Sequence, residues 1–283
     1  MNLLNMFDRP IPHFLEKYLG VPDAAVYGWP GLENPSLMIV LYALYAVLLS
    51  YGRRWMKPAA PFRLRGVLVA YNILQIFLSG YILAEVVACA STGYYSLSCG
   101  PVPIKNPTTT RLARAIWLFY LSKMVDLMDT VFFVLRKKDE QITFLHVYHH
   151  VAMIIAWYLG ALYTPGGQAW LSVVINAGIH VLMYLYYMVS ALGSSYRKYL
   201  WWKKYLTQIQ LVQFIVVGAQ VTYLIHKGCA RPMWLAHVAF VYNVTLIFLF
   251  LGFYREAYGE KNEKTKILDP RSAEQSELNK KKS

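Results

Sequence analysis

Seven stretches of predominantly apolar residues recur along this chain, at about 36–52, 66–91, 112–136, 142–162, 168–191, 205–226 and 233–254, separated by shorter polar segments. Each approaches or exceeds the ~20 residues that a helix needs to cross a hydrocarbon core. The pattern predicts an all-α membrane protein with seven transmembrane helices spanning residues 36–257, and no soluble domain. Residues 1–30 hold Asp8, Glu16 and Asp23 and lack a continuous apolar core, so no cleavable signal is expected there. From Tyr258 to Ser283 the sequence is charged and aperiodic and predicts a disordered tail.

Composition supports the class: 57% of the 283 residues are hydrophobic and only 15% charged. The distribution of basic residues then predicts orientation. Arg53, Arg54, Lys57, Arg63 and Arg65 follow the first run, Arg136, Lys137 and Lys138 the third, and Arg197, Lys198, Lys203 and Lys204 the fifth. Such clusters mark the cytosolic side, which leaves residues 1–35 as a lumenal N-terminal segment and 258–283 as a cytosolic tail. The ending Lys280, Lys281, Lys282, Ser283 resembles a dilysine retrieval signal for endoplasmic reticulum membranes. The +13 net charge suits anionic lipid headgroups, or a phosphate-bearing substrate docking at the cytosolic mouth beside Lys137 and Lys138. Nucleic acid is not an expected partner, because these residues flank membrane helices and form no nucleic-acid module. Cys99 and Cys229 fall on the predicted lumenal side, where an oxidising environment would let them pair, and Cys89 reads as a small apolar residue.

Polar residues inside the predicted spans carry the chemistry. In QITFLHVYHH, from Gln141 to His150, His146, His149 and His150 stand at i, i+3 and i+4 and share one helix face. KMVDLMDT places Lys123, Asp126 and Asp129 along one stripe, with Thr130 beside them. NAGIHVLMYLYY places Asn176, His180, Tyr184 and Tyr187 on one face, and TQIQLVQ spaces Thr207, Gln210 and Gln213 by three. Ionisable groups at membrane depth must pair and face the bundle interior. The stripes converge in the cytosolic half while the lumenal halves are mostly apolar, a polar chamber above an apolar tube that suits an amphiphile with a charged head and a long tail.

Three chemistries compete for such a chamber. Iron oxidation in the manner of membrane desaturases needs more histidines than the four left after His13, His226 and His237 are set aside near or beyond the other end. A single zinc on His146, His149 and His150 is a second metal reading, though ligands on one helical turn converge poorly on a tetrahedron. A receptor or carrier would bind without reacting, but its cluster would open to the wrong side for a surface receptor. Acyl transfer needs a nucleophile, and a buried neutral imidazole can attack a thioester.

In this order and spacing, the four motifs resemble the very-long-chain fatty acid elongase family, membrane 3-ketoacyl-CoA synthases of the endoplasmic reticulum. The resemblance covers about residues 30–258. Asp126 stands where the family often has Glu. The resemblance implies condensation of a long acyl-CoA with malonyl-CoA, releasing CoA and carbon dioxide, as the rate-controlling first step of the elongation cycle. It implies helices two to seven around a closed-ended acyl tunnel open to the cytosol, with helix one outside. No metal or redox cofactor is expected; separate reductases and a dehydratase of the cycle are expected partners, and a homodimer is admitted. His149 is the expected nucleophile and His150 its alternative, His180 assists, and His146 with Lys123, Asp126 and Asp129 orients the rings. Asn176, Tyr184, Tyr187, Thr207, Gln210, Gln213, Gln141, Lys137 and Lys138 are expected at the substrate. The apolar tube from Gln210 to His226 would be ~24 Å long at 1.5 Å per residue, with Trp170 and Trp234 as expected steric stops.

Overall fold

The computed structural model describes residues 13–93 and 106–259, within which the chain is helical and contains no strand. The α-helices are α1 (His13–Leu19), α2 (Ser36–Met56), α3 (Arg65–Ala90), α4 (Pro107–Val125), α5 (Met128–Leu135), α6 (Phe144–Tyr163), α7 (Trp170–Ala191), α8 (Lys203–His226) and α9 (Met233–Tyr258). Single turns of 3-10 helix lie at Ala24–Val26 and Asp139–Gln141, and a longer one at Ser194–Tyr199. Capping residues fix two starts that matter. The Asn106 side chain accepts from Thr108 N–H at 2.9 Å with Pro107 in the first turn of α4, and Thr143 Oγ1 accepts from His146 N–H at 3.2 Å, which starts α6 two residues before its first histidine.

Among the described residues, six helices are long and apolar enough to cross a membrane: α2, α3, α6, α7, α8 and α9. The expected third span is where the structure differs. Residues 112–136 form α4 and α5, joined by a tightened turn in which Leu127 N–H donates to Met124 O, Asp129 N–H to Asp126 O and Thr130 N–H to Leu127 O. These i to i−3 bonds overwind the rod locally, and α4 carries Arg111, Arg114 and Lys123 in its length. Hydropathy alone reads through this turn because no Gly or Pro marks it.

Helix contacts close a circuit. Helix α3 packs on α4 and α7, α7 on α8, α8 on α9, α9 on α6, and α6 on α4, so that six rods enclose a common interior, α4 and α5 counting as one. Helix α2 stands outside this ring against α5. Gly52 permits that approach, since a Cβ there would lie 3.0 Å from Val134 Cγ1. Large apolar side chains such as Phe77, 73% exposed, and Phe248, 71% exposed, point outward, as lipid contact requires. Between lipid-facing helices the hydrophobic effect does not discriminate, so cohesion falls to close packing and interhelical bonds worth ~0.6–2 kcal/mol each. Tyr42 OH donates to Val151 O at 2.7 Å, Tyr45 OH meets Thr130 Oγ1 at 3.0 Å, and Arg111 grips Glu85 with Nη2 to Oε1 at 2.9 Å.

The segment before α2 is part of the fold. Val26 and Leu32 are buried in the same core as Ile116, Phe119, Tyr120 and Ile154. Asp23 N–H donates to Leu162 O at 2.9 Å, and Trp117 Nε1 donates to Pro30 O at 2.9 Å. The segment therefore lies across the end of the ring opposite the basic loops. Cys89 is a buried free thiol and Cys229 is disulfide-bonded. Cys99, expected to be its partner, lies outside the described residues, as do the tail beyond Gly259 and its dilysine ending.

Candidate active site

The polar stripes of α4, α5 and α7 meet α3 in one enclosed network. Lys123 Nζ lies 3.1 Å from Asp126 Oδ2 and 3.4 Å from each ring nitrogen of His180, and it sits 4.5 Å above the Phe119 ring. His180 Nδ1 is 3.8 Å from the same carboxylate oxygen. The other oxygen, Oδ1, accepts from Gln75 Nε2 at 2.6 Å and from Tyr184 OH at 2.8 Å. Tyr184 OH also approaches Asp129 Oδ2 at 3.2 Å, and Tyr71 OH donates to Val125 O at 3.3 Å. Lys123 and Asp126 are each 3% exposed, so neither charge has water to fall back on. Such a pair persists only because each member has the other and several dipoles.

Beside this network the histidine box is divided by its partners. His146 Nε2 is 2.7 Å from Thr130 Oγ1, which Tyr45 of α2 holds in turn. The His146 and His150 ring centroids are 4.3 Å apart, and those of His149 and His150 are 5.8 Å apart. His149 points elsewhere: its Nδ1 lies 3.3 Å from Tyr242 OH on α9. Tyr242 is braced by its own backbone carbonyl, which accepts from Thr245 Oγ1 at 2.7 Å, while Thr245 Oγ1 also meets Tyr148 OH at 2.7 Å. Engaging Nδ1 leaves Nε2 as the ring nitrogen available for chemistry. Among the described residues, no three His, Cys, Asp or Glu side chains converge as a metal ligand set.

A cavity of about 1550 Å³ lies inside the ring, bounded by α6, α7, α8 and α9, the first turns of α4, and residues of the segment before α2. His149, Tyr148, Tyr242, Asn176 and Gln213 line it towards the basic end. From there it runs past Met153, Ala156, Phe214, Val217 and Val238 to Pro165–Ala169 and Cys229–Pro232 at the other end. Asn176 Nδ2 donates to Gln213 Oε1 at 3.4 Å across α7 and α8, and Asn176 Oδ1 is buried without a bonded partner, an acceptor left beside the cavity.

Of the residues expected at the substrate, only Asn176 and Gln213 line this cavity. Tyr184 is fully buried within the carboxylate network, with Tyr187 edge-on to it at 6.1 Å. Thr207 is buried, its hydroxyl donating to Lys203 O at 3.4 Å, and Gln210 is half-buried in the same turn. Lys137 Nζ donates to Lys57 O at 3.2 Å, while Lys138 and Gln141 are exposed in the loop before α6. The network also refines the orienting roles: His146 leans on Thr130, and Asp126 reaches His180 rather than the box. Neither Trp170 nor Trp234 borders the cavity; Trp234 packs edge-on against Tyr163 and donates to Leu19 O, and Trp29 and Trp157 are the indoles that line it. Gln75 and Tyr242 escaped the sequence reading. Asn72, Gln75 and Ser79, at i, i+3 and i+7 on α3 and all buried, form a polar stripe that could have revealed the first. A single tyrosine in an apolar helix carries no comparable signal.

The profile of the ELO family, described as the GNS1/SUR4 family, matches residues 30–266. Mouse very long chain fatty acid elongase 4 is 40% identical over 247 residues, 87% of this chain and 79% of the relative. Mouse very long chain fatty acid elongase 2 is 39% identical over 94% of this chain and 91% of its own length, and the Xenopus tropicalis elongase 5 is 37% identical over 91% and 87%.

Proposed function

The chain belongs to the ELO family, a multi-span membrane family of fatty acid elongases, and from that premise we propose that it joins a long acyl-CoA to malonyl-CoA by decarboxylative condensation. One observation carries the proposal: of the three box histidines, His149 alone lines the cavity, where the polar end gives way to apolar walls. An acyl chain laid along those walls brings its thioester to His149.

The reaction then proceeds in two steps. His149 Nε2 attacks the thioester carbonyl carbon, the C–S bond breaks, and CoA leaves as a thiol with the proton that the neutral imidazole gives up. The acyl group is held as an acyl-imidazole. Malonyl-CoA next loses carbon dioxide, and the electron pair of the broken C–C bond becomes an enolate. Its α-carbon attacks the acyl carbon and the imidazole departs, regaining its proton from solvent and giving a 3-ketoacyl-CoA two carbons longer. Tyr242 holds Nδ1 so that Nε2 faces the cavity, and the free Oδ1 of Asn176 is an acceptor beside the same cavity. Lys123 and Asp126 hold His180 as a base or second nucleophile. Neither step consumes a redox equivalent or requires a metal. The reductions and dehydration that complete elongation belong to separate enzymes.

In this reading the α4–α5 rod is the seventh crossing, and the cavity is the acyl tunnel, open towards the basic loops. The basic end faces the cytosol, where CoA esters are found, and the N-terminal end faces the lumen of the endoplasmic reticulum. Purified protein supplied with acyl-CoA and carboxyl-labelled malonyl-CoA is expected to release labelled carbon dioxide and form the 3-ketoacyl product without NADPH. Acyl-CoA alone is expected to leave an acyl adduct on the peptide containing His149, absent in His149→Ala. An adduct that persists in that variant together with turnover would overturn the assignment.

A further inference from the structure

We infer that the segment from Asp23 to Trp29 is the end wall of the acyl chamber and that its side chains set the longest chain the enzyme extends. The inference rests on the acyl-transfer reading above and assigns the far end of the same cavity to a part of the chain outside the spanning helices. Asp23, Ala24, Ala25 and Trp29 line the cavity directly. They do so from a rigid platform, because the Asp23 carboxylate accepts from Ala25 N–H at 2.9 Å to close a 3-10 turn, and Val26 and Leu32, each at most 1% exposed, anchor either side of Trp29 in the core.

Three helices of the ring hold this strap. Helix α6 accepts Asp23 N–H at Leu162 O; α4 donates from Trp117 Nε1 to Pro30 O and from Tyr120 OH to Gly31 O at 3.1 Å; α9 donates from Trp234 Nε1 to Leu19 O at 2.8 Å. Leu162 is thirteen residues beyond His149 on the same helix, or ~20 Å at 1.5 Å per residue. An extended acyl chain fixed at His149 therefore brings its methyl end to the strap. The wall there is thin, since Ala24 and Ala25 carry single methyl groups and are exposed to open space. Bulk added at Ala25 takes up chamber volume without overpacking a core, whereas core positions would strain their neighbours.

The test uses the full-length protein and acyl-CoAs of graded length bearing a diazirine at the methyl end. The longest chain that the enzyme elongates is expected to crosslink within residues 23–29, and a markedly shorter one to α6 or α8. Crosslinks of the longest chain confined to residues 163–169 or 229–236 would place the wall elsewhere and overturn the inference. Ala25→Trp is then expected to lower the ratio of longest to shorter product by about tenfold, equivalent to ~1.4 kcal/mol. An unmoved ratio, or an equal loss on every length, would also overturn it. Failure of the wild type to condense any acyl-CoA would instead defeat the acyl-transfer reading, and the two failures are distinguishable in one set of assays.

Discussion

The two ends of the ring are built on opposite principles. At the basic end, Gln75, Lys123, Asp126, Asp129, His180 and Tyr184 fill the space between α3, α4, α5 and α7 with direct bonds, and almost every polar atom has a fixed partner. At the other end the helices stand apart around a void walled by Met153, Ala156, Val217 and Val238. The first region spends its packing on direction and leaves no room; the second gives up packing to keep room. A buried polar network is stable only in one arrangement, whereas an apolar cavity tolerates any chain that fits. On the proposed function, reaction chemistry and substrate length are therefore expected to be separable along the axis of a single fold.

The largest expected effect comes from breaking the charge pair. Asp126→Asn keeps acceptor capacity for Gln75 and Tyr184 but strands the Lys123 ammonium, and a loss of ~3–5 kcal/mol is expected, with turnover abolished at every chain length. Thermal unfolding in detergent measures the first and the condensation assay the second. Adding Lys123→Met is expected to restore much of the stability and none of the turnover. Restored turnover would reduce the network to packing and break the comparison.

A smaller effect is expected where the two regions meet. Tyr242→Phe removes the contact to His149 Nδ1 and is expected to lower kcat by about three- to tenfold, the equivalent of one ~0.5–1.5 kcal/mol bond, by the same factor on every substrate. A loss that grows with chain length would assign Tyr242 to the chamber and not to the imidazole. The smallest effect sharpens the far end. Trp234→Phe keeps most of the ring's bulk and loses only the N–H donated to Leu19 O, so a steric stop would survive and an anchor would not. Faster proteolysis within residues 13–35 and a broader product profile are expected, and an unchanged protease pattern would show that the remaining bonds hold the strap alone.

Most helices were legible because lipid imposes long apolar runs. The expected 66–91 and 168–191 became Arg65–Ala90 and Trp170–Ala191. The division of 112–136 was hidden, since a tightened turn between Val125 and Met128 costs no apolar residue and needs no glycine. In the site, histidines and paired charges announced themselves by rarity, while the pairing did not. Spacing on one helix put Asp126 and Asp129 near the box, but partner choice depends on helix crossings, which delivered Asp126 to His180 and Thr130 to His146. The segment before α2 was unreadable for a different reason. Its residues are unexceptional, and its role comes from bonds to helices that lie far along the chain.

That distance has a bearing on how the protein is made. The bond from Trp234 to Leu19 joins residues 215 positions apart, so the strap can dock on α4 and α6 early but gains its hold on α9 only when that helix arrives. During synthesis the growing ring is a trough, open to lipid along the side that α9 will close and open at the end that the strap will cover. A nascent chain stalled before Met233 has no enclosed cavity, because α9 supplies one of its walls.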